Sequence, residues 1–104
     1  MLVAFDYDGV SSNKKVKALI GKLIDEKNEV WIITMRREDS FNKKIMSDFL
    51  KNVGLSIHCV IFCNNRPKIE MIRMINADIY IDNISDEFSL IFDSSTTIPL
   101  LFSN

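Results

Sequence analysis

The ten residues Met1–Val10, MLVAFDYDGV, decide the fold of this 104-residue chain. The apolar run LVAF predicts a short buried strand, and Asp6 and Asp8 follow it at once. Two carboxylates one residue apart at the end of a buried strand are costly, because burial and mutual repulsion both disfavour their charged forms. We therefore expect other parts of the chain to bring a compensating cation to this point.

The rest of the chain alternates between short β-branched apolar runs and segments whose apolar residues recur at helical spacing. This alternation is typical of a parallel sheet with helices on both faces. The sequence thus predicts a single three-layer Rossmann-like α/β domain over residues 1–104, with about five strands. The predicted strands are LVAF (2–5), VWIIT (30–34), IHCVIFC (57–63), a strand within DIYID (78–82) and TIPLLF (97–102), and helices are expected to start near residues 13, 40, 67 and 86.

Composition limits the classes of function. With 47% apolar and 26% charged residues, the chain has the composition of a soluble globular protein. Its net charge of −1 provides no bulk positive potential, so a nucleic-acid end as substrate has no support from charge. No apolar run approaches the roughly 18 residues of a membrane span, and no basic segment precedes the first apolar run as in a signal peptide. Cys59 and Cys63 are predicted to be buried free thiols, as expected in a reducing cytoplasm.

Polar residues collect directly after the predicted strands. In such sheets, the carboxyl ends of the strands form the edge at which ligands bind. Oxygen ligands without His or Cys select a hard cation, for which Mg²⁺ is the natural choice. Lys68, in the first turn of a predicted helix, faces the positive end of the helix dipole, which indicates a carboxylate or phosphate beyond that end. The polar residues at this edge are Asp6, Asp8, Thr34, Arg36, Asn64, Arg66, Lys68, Asp82, Asn83 and Asp86.

In type and order, these residues resemble four motifs of the haloacid dehalogenase (HAD) superfamily. The resemblance covers essentially the whole chain and implies a capless HAD-like domain with phosphatase activity. Such an enzyme is a Mg²⁺-dependent hydrolase that cleaves a phosphomonoester through an aspartyl-phosphate intermediate. DYDGV (6–10) is similar to the first motif, IITMR (32–36) to the second, RPKIEMI (66–72) to the third and IYIDNISDE (79–87) to the fourth.

Carried over residue by residue, the resemblance implies a role for each motif. Asp6 would be the nucleophile, and Asp8 would be the general acid that protonates the leaving group and then activates water. Thr34 and Lys68 would hold the oxygens of the transferring phosphoryl group. The ligands of the metal would be Asp6, Asp8 through its backbone carbonyl, Asp82 and Asp86.

The chain departs from the family pattern near the first and fourth motifs. Ile81 stands where the family often has Gly. Asp78 offers a second acidic pair with Asp82, but Asp78 precedes its strand and is expected at the opposite sheet edge, so the pair Asp82 and Asp86 is preferred. Few residues separate Asp8 from the first helix, so the turn and flap that family members place there are predicted to be nearly absent.

No loop of the chain is long enough to hold an inserted cap domain, which in the family closes the site and selects the substrate. A capless site is open. It therefore suits a bulky phosphorylated substrate, or a neighbouring subunit that serves as a lid in a homo-oligomer. The rim positions best placed to contact a substrate are Arg36, Arg37, Arg66 and Asn83.

Two other functions match parts of the pattern. A receiver domain is also a short Mg²⁺-dependent α/β domain, but it carries its phospho-accepting Asp after strand three and its Thr after strand four. Here Asn64 follows strand three and Thr34 follows strand two, so the order disagrees. A catalytically silent HAD-fold binding module stays open as the alternative, favoured by the short flap and the missing cap and disfavoured by the complete set of chemical residues.

Overall fold

The computed structural model describes residues 1–103 and confirms the α/β prediction. Five parallel strands form one sheet in the order β3-β2-β1-β4-β5. The elements in chain order are β1 (Leu2–Asp6), α1 (Lys14–Asp25), β2 (Glu29–Thr34), α2 (Ser40–Val53), β3 (Val60–Phe62), α3 (Lys68–Ile75), β4 (Ile79–Asp82), α4 (Phe88–Ser94) and β5 (Ile98–Leu101).

Each face of the sheet buries its own apolar cluster, because successive residues of a strand point to opposite faces. Phe5 and Ile32 belong to the cluster formed with residues of α1 and α2. Ala4, Ile33 and Tyr80 belong to the cluster formed with residues of α3 and α4. The three layers therefore follow from central strands that are apolar on both faces.

Three local signals in the sequence begin or end helices, two of them at predicted helix starts. The side chain of Asn13 accepts the N–H of Lys15 at 2.8 Å and caps α1. The side chain of Asp39 accepts the N–H of Asn42 at 2.8 Å and caps α2. Gly54 ends α2 in the left-handed conformation, with φ of 79°. The predicted helix starts near residues 13 and 40 are confirmed. Each signal acts between residues that are close in the sequence, which is why it can be recognised there.

Two predicted elements differ from the structure. The strand predicted over 57–63 is shorter, since Ile57–Cys59 form a single 3-10 turn in which the side chain of Ser56 accepts the N–H of His58. The last helix begins at Phe88 rather than at Asp86. Cys59 and Cys63 are free thiols as predicted, the first half-buried and the second buried.

The carboxyl ends of β1 and β4 flank the point at which the order of the strands in the sheet reverses. The chain runs outward from β1 to β3 and then returns to place β4 on the other side of β1. Phe5 of β1 pairs with Ile81 of β4, so the next residues, Asp6 and Asp82, lie side by side at the ends of these adjacent strands. This is the position at which doubly wound sheets bind ligands. Within residues 1–103, none of the helices has the length and apolar character to cross a membrane.

Candidate functional site

A buried ion cluster joins the ends of β1 and β4 to the start of α3. Its members, Lys68, Asp6, Asp82 and Tyr80, are called the Lys68 cluster below. Lys68 Nζ donates hydrogen bonds to Asp6 Oδ1 at 2.6 Å and to Asp82 Oδ2 at 2.9 Å, and the Tyr80 hydroxyl donates to the same Asp82 oxygen at 2.6 Å. The side chains of Lys68, Asp6 and Asp82 are only 9%, 7% and 6% exposed. Lys68 is thus the compensating cation that the opening stretch requires.

Burial controls ionisation in the Lys68 cluster. It raises the pKa of Asp6 to about 6, although the hydrogen bond and charge of Lys68 act in the opposite direction. Burial disfavours the charged form of Lys68, but its bonds with Asp6 and Asp82 outweigh this and raise the pKa of Lys68. Burial and the neighbouring Asp82 raise the pKa of Tyr80 strongly, so Tyr80 stays a hydrogen-bond donor. With all acids ionised, two carboxylates share one ammonium, and the excess negative charge favours a second cation.

Glu87 holds the start of α3, and with it Lys68, in place. The Glu87 carboxylate accepts the backbone N–H of Lys68 at 3.2 Å and that of Ile69 at 3.1 Å. The first N–H groups of a helix lack partners within the helix, and a carboxylate there also compensates the positive end of the dipole. Pro67, at the cap position, has no side-chain hydrogen bond to offer. Sequence reasoning missed Glu87, because no local spacing signals a cap from another element.

Asp8 belongs to a second ion cluster on the other side of the β1 exit, called the Arg36 cluster and composed of Arg36, Asp8, Asn42 and Tyr7. Arg36 Nη2 donates to Asp8 Oδ1 at 2.8 Å, and Arg36 Nε donates to Asp8 Oδ2 at 3.1 Å. Arg36 Nη1 donates to Asn42 Oδ1 at 2.9 Å, and the guanidinium carbon lies 5.6 Å from the centre of the Tyr7 ring. The side chains of Arg36 and Asp8 are 29% and 57% exposed. The predicted rim residue Arg36 therefore contacts the predicted acid–base residue.

The chain leaves β1 through a bend over Tyr7–Ser11, in which the backbone angles of Asp8 and Gly9 are not helical. Ser11 Oγ donates to the backbone oxygen of Asp6 at 2.7 Å, and Gly9 adopts a positive φ of 78°. A Cβ at Gly9 would lie 2.5 Å from Asn83 Nδ2, so glycine lets the loops after β1 and β4 touch. Only the five residues Gly9–Asn13 separate Asp8 from α1, so the short connection predicted here is confirmed.

The other predicted site residues belong to neither cluster, and they differ in exposure. Thr34 is fully buried at the end of β2, and its hydroxyl accepts the N–H of Arg36 at 3.2 Å. Asp86 and Arg66 are exposed in loops at the same edge. Asp78 accepts the N–H of Leu2 at 2.7 Å at the start of β1, which confirms that it lies at the opposite edge.

Two cavities differ in their relation to the clusters. A cavity of about 190 Å³ adjoins the Lys68 cluster and is lined by Lys68, Tyr80, Asp82 and Asp86 among others. A larger groove of about 650 Å³ runs between α2 and β3, and none of the predicted site residues lines it. Only the smaller cavity therefore bears on the candidate site.

Two of the four predicted metal ligands lie together. Asp6 and Asp82 meet at Lys68, whereas Asp8 is paired with Arg36 and Asp86 is exposed. Across residues 1–103, no group of three or more His, Cys, Asp or Glu side chains is arranged to hold a metal ion. The Asp6 and Asp82 carboxylates supply the oxygen donors that Mg²⁺ prefers. The donor chemistry thus fits Mg²⁺ at two side chains, and the pairing of the Asp8 side chain with Arg36 does not involve the backbone carbonyl of Asp8, the predicted ligand.

Comparisons with known proteins assign no family to the chain. No protein-family model matches it, and neither does any curated protein sequence. Its function has to be inferred from the two ion clusters and their position in the sheet.

Proposed function

We propose that this protein is a HAD-type, Mg²⁺-dependent phosphatase that hydrolyses a phosphomonoester. The Lys68 cluster is the observation that carries the proposal, because one buried ammonium lies within hydrogen-bond distance of two carboxylates from adjacent strand ends. A buried ion pair gains little stability over well-packed apolar residues. The Lys68 cluster lies at the ligand-binding edge of the sheet and contains Asp6, whose pKa is strongly raised. Both properties favour a chemical role for the cluster.

In the first proposed step, Asp6 acts as the nucleophile. A carboxylate oxygen of Asp6 attacks the phosphorus atom, and the bond from phosphorus to the ester oxygen breaks as the new bond forms. Asp8 donates its proton to the departing alcohol. Lys68, hydrogen-bonded to Asp6, holds the attacking carboxylate and offsets negative charge on the phosphoryl oxygens. The products of this step are the alcohol and a phosphorylated Asp6.

In the second proposed step, water hydrolyses the aspartyl phosphate. Asp8, now ionised, accepts a proton from water as the water oxygen attacks phosphorus, and the bond to Asp6 breaks. Phosphate leaves, and both aspartates return to their starting protonation states. Thr34 would hold a phosphoryl oxygen together with Lys68, which requires its buried hydroxyl to become accessible.

Mg²⁺, when bound, would neutralise negative charge on the phosphoryl group and orient its oxygens. The carboxylates of Asp6 and Asp82 would hold it, together with the backbone carbonyl of Asp8. Asp86, which lines the cavity beside Asp82, is proposed as a further ligand.

The proposed substrate is bulky, because the loops at the carboxyl edge of the sheet are short and contain no cap domain. Arg66 and Asn83 are exposed at this edge and are proposed to contact the substrate. A second copy of the chain is proposed as an alternative cover of the site, and the two free cysteines fit a cytoplasmic location.

Hydrolysis of p-nitrophenyl phosphate in the presence of Mg²⁺ tests the proposal, with Asp6→Asn as the inactive variant. We expect the wild type to release phosphate, EDTA to stop it, and Asp6→Asn to lower kcat by about 10³ or more. Asp78→Asn is the matched control, since it changes an aspartate at the opposite sheet edge. Mass spectrometry of acid-quenched protein should find the phosphoryl group on Asp6. A wild type no faster than Asp6→Asn on a panel of phosphomonoesters, with no Mg²⁺ binding, would overturn the proposal.

A catalytically silent binding module of the same fold is the second candidate. It is favoured by Thr34, a predicted phosphoryl contact whose hydroxyl is fully buried and already accepts the backbone N–H of Arg36. Such a module would bind a phosphorylated ligand at Lys68 without turnover. Binding of inorganic phosphate by calorimetry, retained in Asp6→Asn and lost in Lys68→Met, together with no hydrolysis, would support it over the enzyme.

A further inference from the structure

We infer that Arg36 is a positioning residue that orients Asp8 for proton transfer. The inference rests on the proposed function, because that function makes Asp8 the general acid and base. Arg36 acts through Asp8 and not on the substrate itself. It was predicted as a rim residue, and its contacts in the structure point to this different role.

The pair between Arg36 and Asp8 has the geometry of an orienting contact. Both carboxylate oxygens of Asp8 accept a hydrogen bond from one guanidinium group, at 2.8 and 3.1 Å. A two-point contact with a planar guanidinium sets the direction of the carboxylate as well as its distance. An ion pair as exposed as this one adds little to stability. Its value to the molecule therefore lies in the orientation of Asp8.

Arg36 is itself braced by packed and hydrogen-bonded neighbours. Asn42 accepts from Arg36 Nη1 at 2.9 Å, and the backbone N–H of Asn42 donates to Asp39, which caps α2. The Tyr7 ring faces the guanidinium and packs edge-on against buried Phe49, with ring centres 5.2 Å apart. A continuous set of contacts thus leads from the core and the start of α2 to the carboxylate of Asp8.

The same contacts argue against direct binding of substrate by Arg36. Its Nε, Nη1 and Nη2 atoms each donate to a protein oxygen. The backbone N–H of Arg36 donates to Thr34 Oγ1 at 3.2 Å, so the end of β2 holds the backbone of the residue whose side chain contacts Asp8. With three of its five N–H groups bound in this way, the guanidinium cannot turn toward a substrate phosphate without breaking these bonds.

Correct placement of Asp8 matters most when the leaving group needs a proton. An alkoxide is a poor leaving group, so its oxygen must be protonated as the bond to phosphorus breaks. The p-nitrophenolate anion leaves without protonation. If Arg36 positions Asp8, its loss will therefore slow the first step, transfer of the phosphoryl group to Asp6, more for an alkyl phosphate than for p-nitrophenyl phosphate.

The experiment compares kcat/KM of wild type, Arg36→Gln and Arg36→Lys on p-nitrophenyl phosphate and on glycerol 2-phosphate. This ratio reports the first step, in which the leaving group departs, whereas kcat also contains the second step, which is the same for both esters. For Arg36→Gln, we expect kcat/KM on the alkyl ester to fall by about 10², the lower range of acid–base contributions. On p-nitrophenyl phosphate we expect kcat/KM to fall by about threefold or less. Arg36→Lys should rescue only partly, because an ammonium cannot contact both oxygens in one plane. Arg73→Gln, in an exposed arginine near the far end of α3, is the matched control.

Each other outcome overturns a defined part of this argument. An equal loss of kcat/KM on both esters would show that Arg36 binds the phosphate, and no loss on either would show a surface ion pair without a role. Asn42→Ala, which removes a brace without touching Asp8, should give the same dependence on leaving group to a smaller degree, and it decides the question if Arg36→Gln fails to fold. A wild type inactive on both esters would refute the proposed function itself.

Discussion

Asp6 and Asp8 stand one residue apart, yet they belong to ion clusters of opposite character. Asp6 is buried in the Lys68 cluster and shares one ammonium with Asp82. Asp8 is 57% exposed in the Arg36 cluster, where its carboxylate pairs with the guanidinium of Arg36. The bend that begins at Tyr7 causes the difference, because Asp8 lies beyond the end of the strand and need not share a face with Asp6.

The comparison shows that the burial of an ion pair determines whether it mainly affects stability or mainly orients its members. In the Lys68 cluster, the charged side chains are almost completely buried, so each charge depends on its partners, and the loss of one leaves the others without compensation. In the Arg36 cluster, water can replace a lost partner, so the pair contributes orientation more than free energy. A nucleophile benefits from the first environment, and a group that exchanges protons with water benefits from the second.

The largest expected effect comes from Lys68→Met. It leaves the buried carboxylates of Asp6 and Asp82 without their cation, and we expect the free energy of unfolding at pH 7 to fall by about 3–5 kcal/mol. Arg36→Met is the matched change in the exposed cluster and should cost at most about 1 kcal/mol. Urea unfolding of both variants measures the two values. Equal losses would show that the two clusters do not differ in the way that their burial implies.

The next effect concerns the pH dependence of stability. The folded-state pKa of Asp6 is raised from 3.8 to about 6, so folding favours its protonated form. The stability that Asp6 contributes is therefore fully present below pH 4, decreases as the pH rises, and is lost above pH 6. Relative to Asp6→Asn, the wild type should lose about 2–3 kcal/mol of unfolding free energy between pH 4 and 7, since each tenfold change in an ionisation constant corresponds to about 1.4 kcal/mol.

Chemical denaturation of the wild type and Asp6→Asn at several pH values, in EDTA, checks this expectation. The difference between the two proteins isolates Asp6 from the other carboxylates. A difference independent of pH would show that Lys68 keeps Asp6 ionised throughout this range.

The smallest effect concerns Gly9, in the turn that separates the two clusters. Gly9→Ala places a side chain at a φ of 78°, which costs about 1–2 kcal/mol, and brings its Cβ to 2.5 Å from Asn83 Nδ2. Gly54→Ala pays the same backbone cost at a φ of 79°, with no atom within 4 Å of the new Cβ. Thermal unfolding should therefore rank Gly9→Ala as the less stable of the two. Asn83→Ala in the Gly9→Ala background should remove the excess, and equal stabilities of the two single variants would contradict the close approach of the loops.

Much of the fold is predictable because its signals are local. The caps at Asn13 and Asp39 and the glycine at 54 act within one helical turn, and the apolar runs show strands that are buried on both faces. The strand over 57–63 was predicted too long because a 3-10 turn and a strand look alike in a short apolar run.

The site is predictable only in part. The position of Lys68 in a first helical turn indicates an anion beyond it, and the structure confirms a carboxylate partner. The cap from Glu87 to Lys68 spans 19 residues and the pair of Arg36 with Asp8 spans 28, and neither has a local signal. Both depend on which loops meet at the carboxyl edge of the sheet.

The sequence by itself determined the α/β class, the order of strands and helices along the chain, and the kinds of polar residue that follow each strand. These properties arise from periodicity and from hydrogen bonds between near neighbours. Only the tertiary structure decided that Asp6 shares Lys68 with Asp82 while Asp8 pairs with Arg36. The partners of a charged side chain, and the water around it, depend on segments that are distant in the chain and adjacent in space.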